Sequence, residues 1–122
     1  MANKILIADD EPNIVISLEF LMKREGFAVS VANDGEEAVK RIRADPPDLV
    51  LLDVMMPKKT GFEVCQEVRA DPALAGVRIL MLTAKGRDTE VAKGLALGAD
   101  AYMTKPFSTK DLVEKVRSML ES

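Results

Sequence analysis

The chain has 122 residues, 17 basic and 20 acidic, for a formal net charge of −3, too balanced to bind nucleic acid by bulk charge alone. It contains no histidine, which excludes a Ser–His–Asp triad, a His-ligated zinc and a histidine phosphoryl carrier; its one cysteine, Cys65, excludes an internal disulfide and fits a reducing cytoplasm. The length suits a single domain over residues 1–122, and neither a signal pattern after Met1 nor an apolar run near the ~20 residues of a membrane span is present, so a cytoplasmic, membrane-free protein is expected.

In chain order, Ile5-Leu6-Ile7-Ala8 predicts a first strand over 3–8 that runs into Asp9-Asp10. Pro12 suits a first helical turn, with Ile14, Leu18 and Leu21 on one stripe and Gly26 as the stop. A second strand is expected over 28–32. Asp34 with Glu37 then stands at capping-box spacing, and Asp45-Pro46-Pro47-Asp48 marks a turn. Leu49-Val50-Leu51-Leu52 predicts a third strand, 48–53, ending at Asp53. Thr60 with Glu63 opens a helix whose inner face is Phe62, Cys65 and Val68, and Asp71-Pro72 turns the chain back. The fourth strand, 77–82, leads into Thr83; Val91 and Leu95 are the expected inner face of the next helix. Gly94 sits inside that helix at a cost of about 1 kcal/mol relative to alanine, and Gly98 stops it. A fifth strand over 100–104 runs into Lys105, and Ser108 with Asp111 opens a last helix facing inward through Leu112, Val116 and Leu120.

Strands that are apolar throughout and alternate with helices predict an α/β fold: one parallel five-stranded sheet covered by helices on both faces, in three layers. Ligands of such folds bind beyond the carboxyl ends of the strands, where strand order reverses. Asp9, Asp10, Asp53, Thr83 and Lys105 all fall at those ends. Three crowded carboxylates repel, and a hard divalent cation such as Mg²⁺ relieves the repulsion. A carboxylate can attack phosphorus, and the transfer needs mostly positioning and charge neutralisation, which a cation, a lysine and a hydroxyl supply. Each residue also has a plainer reading: Asp9-Asp10-Glu11 as acidic groups favoured by a helix dipole, Cys65 as a core filler, and Tyr102 as a half-buried aromatic. Met55 and Met56, beside Asp53, are expected to form an apolar rim.

Asp9-Asp10 after strand one, Leu-Leu-Asp53-Val-Met-Met-Pro57 after strand three, Thr83-Ala84 after strand four and Lys105-Pro106-Phe107 after strand five together resemble the receiver domain of two-component response regulators of the chemotaxis-regulator type. Gly61 and Gly98-Ala99-Asp100 extend the likeness over essentially the whole chain. The resemblance implies a doubly wound, flavodoxin-like (βα)5 fold and a phospho-accepting switch that catalyses only its own phosphorylation and dephosphorylation. It implies Asp53 as acceptor, with Mg²⁺, or Mn²⁺ in its place, held by Asp10, Asp53 and the Met55 backbone carbonyl, and by Asp9 largely through water. Lys105 would pair with Asp53 and then with the phosphoryl oxygens, Thr83 and Tyr102 would switch, and Lys105–Pro106 would be cis. The donor would be a histidine kinase or histidine phosphotransfer protein, and the output a target protein or a fused output domain, with no direct nucleic-acid contact. Met55 and Lys85 occupy positions that tune the phosphoryl lifetime in the family, and Met55 cannot orient a hydrolytic water. Ala101 replaces an aspartate used in the family's dimers, so a monomer or a weak phosphorylation-dependent dimer is expected. Two alternatives stand beside this reading. An aspartate-nucleophile phosphohydrolase would want an acid where Met55 stands, and a receiver-like binding module that takes no phosphate would not need all five site residues. A nucleotide-binding domain is disfavoured because no glycine-rich loop follows the first strand. The chain ends at Ser122, just after the fifth helix, as a stand-alone receiver or one domain of a longer regulator.

Overall fold

A computed structural model describes residues 3–84 and 88–121. Strands β1 (Lys4–Ala8), β2 (Ala28–Ala32), β3 (Leu49–Asp53), β4 (Arg78–Ala84) and β5 (Ala101–Lys105) alternate with helices α1 (Pro12–Arg24), α2 (Gly35–Ala44), α3 (Gly61–Ala70), α4 (Asp88–Ala96) and α5 (Thr109–Glu121). The strands pair in parallel in the order β2-β1-β3-β4-β5. From β1 the chain first moves outward to β2, then crosses back to β3 and continues the other way. The reversal therefore lies between β1 and β3.

Side chains alternate across a strand, so each strand serves two cores. Ile5, Ile7, Leu49, Leu51, Leu80 and Leu82 pack with Leu18, Leu21 and Met22 of α1 and Leu112, Val116 and Met119 of α5. On the opposite face Leu6, Ala8, Val50, Leu52, Ile79 and Met81 pack with Ala38, Val39 and Ile42 of α2 and Val64, Cys65 and Val68 of α3. Fully burying one such aliphatic side chain is worth roughly 2 kcal/mol, against a spread of about 1 kcal/mol among all strand propensities. Burial therefore decides which face each residue takes, and with it the register.

Local signals fix the helix starts. The Asp34 carboxylate accepts the Glu37 N–H at 2.8 Å, while Glu37 reaches back to the N–H of Asn33 at 3.0 Å, one residue beyond a true capping box. Thr60 and Glu63 form the complete reciprocal pair, and Ser108 Oγ accepts the Asp111 N–H at 3.0 Å. At the far end of α4, Gly98 takes φ +110°, and a side chain there would collide with Arg69. Arg69 of α3 instead donates from Nε to the Gly98 carbonyl at 2.8 Å and from Nη2 to Asp100 at 2.7 Å. The same Asp100 oxygen accepts the Ile79 N–H at 2.8 Å. One bracket thus joins α3, the end of α4 and the beginnings of β4 and β5.

Three expectations need correction. Leu95 is 42% exposed, not inward: Gly94 is the residue that faces the sheet, against Met81 and Phe62, and the 3.6-residue turn carries Leu95 to the outside. Met56 is buried in the core beneath α3, so the apolar rim beside Asp53 is Met55 alone. Strands β4 and β5 run further than predicted, making Thr83 and Lys105 members of their strands and not the residues after them. Among the described residues no helix is long and apolar enough to cross a membrane.

Candidate functional site

The strand reversal places the ends of β1 and β3 side by side, and with them Asp9, Asp10 and Asp53, whose carboxylate oxygens lie within 4.8 Å of one another. Asp9 and Asp53 are buried, while Asp10 is exposed. Asp9 and Asp53 continue the alternation of Ile5/Ile7 and Leu49/Leu51, and Lys105 continues that of Ala101/Met103, so the three share the face that carries α1 and α5. Lys105 Nζ stands 3.1 Å from Asp9, 3.4 Å from Asp53 and 3.4 Å from Glu11. Its pairing is therefore shared, with Asp9 the nearest partner. The Lys105–Pro106 peptide bond is cis.

Burial first, then the charge of Asp9, pushes the Asp53 carboxyl up from 3.8 to about 6; Lys105 opposes this and Asp10 adds to it. Burial alone would lower Lys105, but the charges of Asp53, Asp9 and Glu11 outweigh it, and the ammonium is held above its ordinary value. The ion pair does not depress Asp53 because burial and the charge of Asp9 outweigh it. The site has an excess of negative charge that one ammonium does not neutralise.

The loop after β3 is shaped by close approaches. Gly61 lets the first turn of α3 sit against the Asp53 carbonyl, and Gly35 lets α2 sit against the Lys59 carbonyl; a Cβ at either would overlap backbone. Lys58 adopts φ +69° between them. The Val54 carbonyl is taken by Gly61 N–H at 2.8 Å, and the Pro57 carbonyl by the N–H groups of Gly35 and Lys59. The Met55 carbonyl has no backbone partner among the described residues, and the Met55 side chain is 66% exposed.

Thr83 continues Ile79 and Met81, and Tyr102 is the register partner of Met81, so both lie on the opposite face from the acids. Thr83 is buried, and its Oγ1 finds no hydrogen-bond partner among the described residues. Tyr102 is exposed and lines an open groove with Leu95 and Lys115. Ala101 is half-buried, and Lys85 lies outside the described residues.

The donor set fits a hard divalent cation: the clustered oxygens are carboxylates, beside a loop carbonyl with no backbone partner, and among the described residues no nitrogen or sulfur ligand joins the group. Of the five residues that sequence reading placed at strand ends, the structure brings together the three acids and Lys105, while Thr83 lies on the other face of the sheet. Sequence reading missed the approach of Glu11 to Lys105, because an acidic residue before Pro12 reads equally well as a helix-dipole partner. It also missed Gly35, on which no expectation was placed, because its close approach to Lys59 joins residues far apart in the sequence.

A doubly wound parallel sheet with an acidic cluster at its reversal is the flavodoxin-like architecture of a phosphoacceptor switch. Residues 5–117 match the response regulator receiver domain family, and the chain belongs to that family. It is 47% identical over 120 residues to the alkaline phosphatase synthesis transcriptional regulatory protein PhoP of Bacillus subtilis, covering 98% of this chain and 49% of that protein. The chain thus spans about half the length of that relative. Among solved structures, one of a response regulator from Chloroflexus aurantiacus matches with a TM-score of 0.96 at 34% identity, over 100% of both chains. The chemotaxis response regulator CheY4 of Vibrio cholerae matches with a TM-score of 0.92 at 30% identity, over 98% of this chain and 99% of that one. The chain is a receiver domain of two-component response regulators, a phosphoacceptor signalling switch.

Proposed function

We propose that Asp53 takes a phosphoryl group from a phosphohistidine of a histidine kinase or histidine phosphotransfer protein, in a Mg²⁺-dependent reaction. The observation that carries this reading is the convergence of Asp53 with Asp9, Asp10 and the shared Lys105 at the strand reversal. An Asp53 carboxylate oxygen bonds to phosphorus as the phosphorus–nitrogen bond breaks, and the electron pair leaves on the imidazole nitrogen, which takes a proton from solvent. Asp9, Asp10, Asp53 and the Met55 carbonyl would hold Mg²⁺, or Mn²⁺ in its place, which when bound neutralises charge on the acids and on phosphoryl oxygens. Lys105 exchanges its carboxylate partners for a phosphoryl oxygen. Thr83, whose buried hydroxyl has no hydrogen-bond partner among the described residues, gains an acceptor once phosphoryl oxygens are present. Its movement opens space on its own sheet face, where Tyr102 stands exposed and able to turn inward. The α4–β5–α5 surface then differs between states and is read by a target protein or a fused output domain.

Residues 1–122 act as one receiver domain, monomeric or in a weak phosphorylation-dependent dimer, since Ala101 offers no carboxylate for an intersubunit pair. Met55 gives a hydrolytic water no hydrogen bond, so the phosphorylated state is not unusually short-lived. Met55→Asp is expected to quicken phosphate loss, followed by the decay of the adduct in intact mass. The direct test of acceptor chemistry is intact mass after incubation with Mg²⁺ and acetyl phosphate. One phosphoryl adduct is expected on wild type and none on Asp53→Asn; an absent wild-type adduct, or an undiminished one in the variant, refutes the proposal.

A further inference from the structure

Of the three carboxylates around Lys105, two have work in the proposed chemistry and Glu11 has none. Glu11 is the N-cap residue of α1, yet its side chain makes no hydrogen bond to the helix. Its Oε1 lies 3.4 Å from Lys105 Nζ instead. Asp9 and Asp53 hold the ammonium from inside the site, whereas the Glu11 side chain is 58% exposed and holds it from the solvent side.

We infer that Glu11 is a positioning residue that acts through Lys105, keeping the ammonium at the mouth of the site while Asp53 is unphosphorylated and so slowing phosphoryl uptake. The inference rests on the acceptor role of Asp53. With acetyl phosphate as donor, the Asp53 oxygen bonds to phosphorus while the phosphorus–oxygen bond to the acetyl group breaks and its electron pair leaves on acetate. Lys105 serves that transfer only where it meets the phosphoryl oxygens, and the contact with Glu11 must be given up. Exposed ion pairs are weak, which sets the size of the effect at about threefold in rate.

The test uses the whole chain at saturating Mg²⁺ and compares bimolecular rate constants for adduct formation from acetyl phosphate. Glu11→Gln is expected to raise the constant about threefold. Glu11→Asp, which keeps the charge and shortens the reach by one methylene, is expected to raise it as well. In a Lys105→Met background Glu11→Gln is expected to change nothing, and Mg²⁺ affinity should stay within about twofold of wild type throughout. A Glu11→Asp variant as slow as wild type, or a Glu11→Gln effect that survives Lys105→Met, overturns the inference and leaves a general charge effect; Asp53 remains the acceptor in either case. A wild type that forms no Asp53-dependent adduct overturns the acceptor role, and this inference with it.

Discussion

Two side chains at the site are held in states that cost the resting protein stability. A buried hydroxyl without a partner is destabilising by about 1–3 kcal/mol, and Thr83 Oγ1 has none among the described residues. Thr83→Val keeps the shape and removes the hydroxyl, so it should stabilise the unphosphorylated protein by about 1 kcal/mol in urea unfolding. The same variant should take up phosphate at Asp53 yet lose the change at the α4–β5–α5 face. Asp53 shows the electrostatic counterpart. Its folded pKa, about 6, stands above the ordinary 3.8, so the stability it contributes is full below the unfolded value and is lost as pH rises through about 6. Asp53→Asn removes that loss. In chelator at pH 7 the variant should be more stable than wild type by roughly 2 kcal/mol, and the gap should narrow as the pH falls toward 4. Denaturant titrations at the two pH values measure it, and added Mg²⁺ should stabilise wild type more than the variant.

At the scale of elements, α4 is set by Gly94. A Cβ there would meet Met81 at 3.4 and 3.5 Å and Phe62 at 3.8 Å, ordinary contact distances. Gly94→Ala should therefore fit without strain and stabilise the helix by up to about 1 kcal/mol, slowing amide exchange across Asp88–Ala96 and weakening the response to phosphorylation. Unchanged exchange and unchanged response would show that the glycine does not tune the helix. The strands, the caps at Asp34, Thr60 and Ser108, and the five residues at strand ends were legible in the sequence because each is written in local period or spacing. The facing of Leu95 and Met56 was not, since it follows from how closely α4 and the β3–α3 loop approach the sheet. The Arg69–Asp100 pair joins residues 31 apart, and no local pattern announces such a contact.

At the scale of the whole molecule, the sheet separates two tasks by pleat. Asp53, Asp9 and Lys105 lie toward α1 and α5, while Thr83 and Tyr102 lie on the other face, so a signal passing from Asp53 in β3 to Thr83 in β4 would have to cross the sheet. The bracket made by Arg69, Gly98, Asp100 and Ile79 lies at the opposite, amino-terminal edge of the same strands. It pins α4 at its carboxyl end, where the Gly98 carbonyl is held. If the movement proposed for Thr83 is felt at the amino-terminal end of α4, the helix is expected to swing about its held end at Gly98 and not to slide. Amide exchange on phosphorylation should change over residues 88–92 and stay constant over 97–100, and Arg69→Ala should remove that contrast. On the proposed switch, the bracket, far from the chemistry, would convert a small displacement at one hydroxyl into a tilt that a partner can feel.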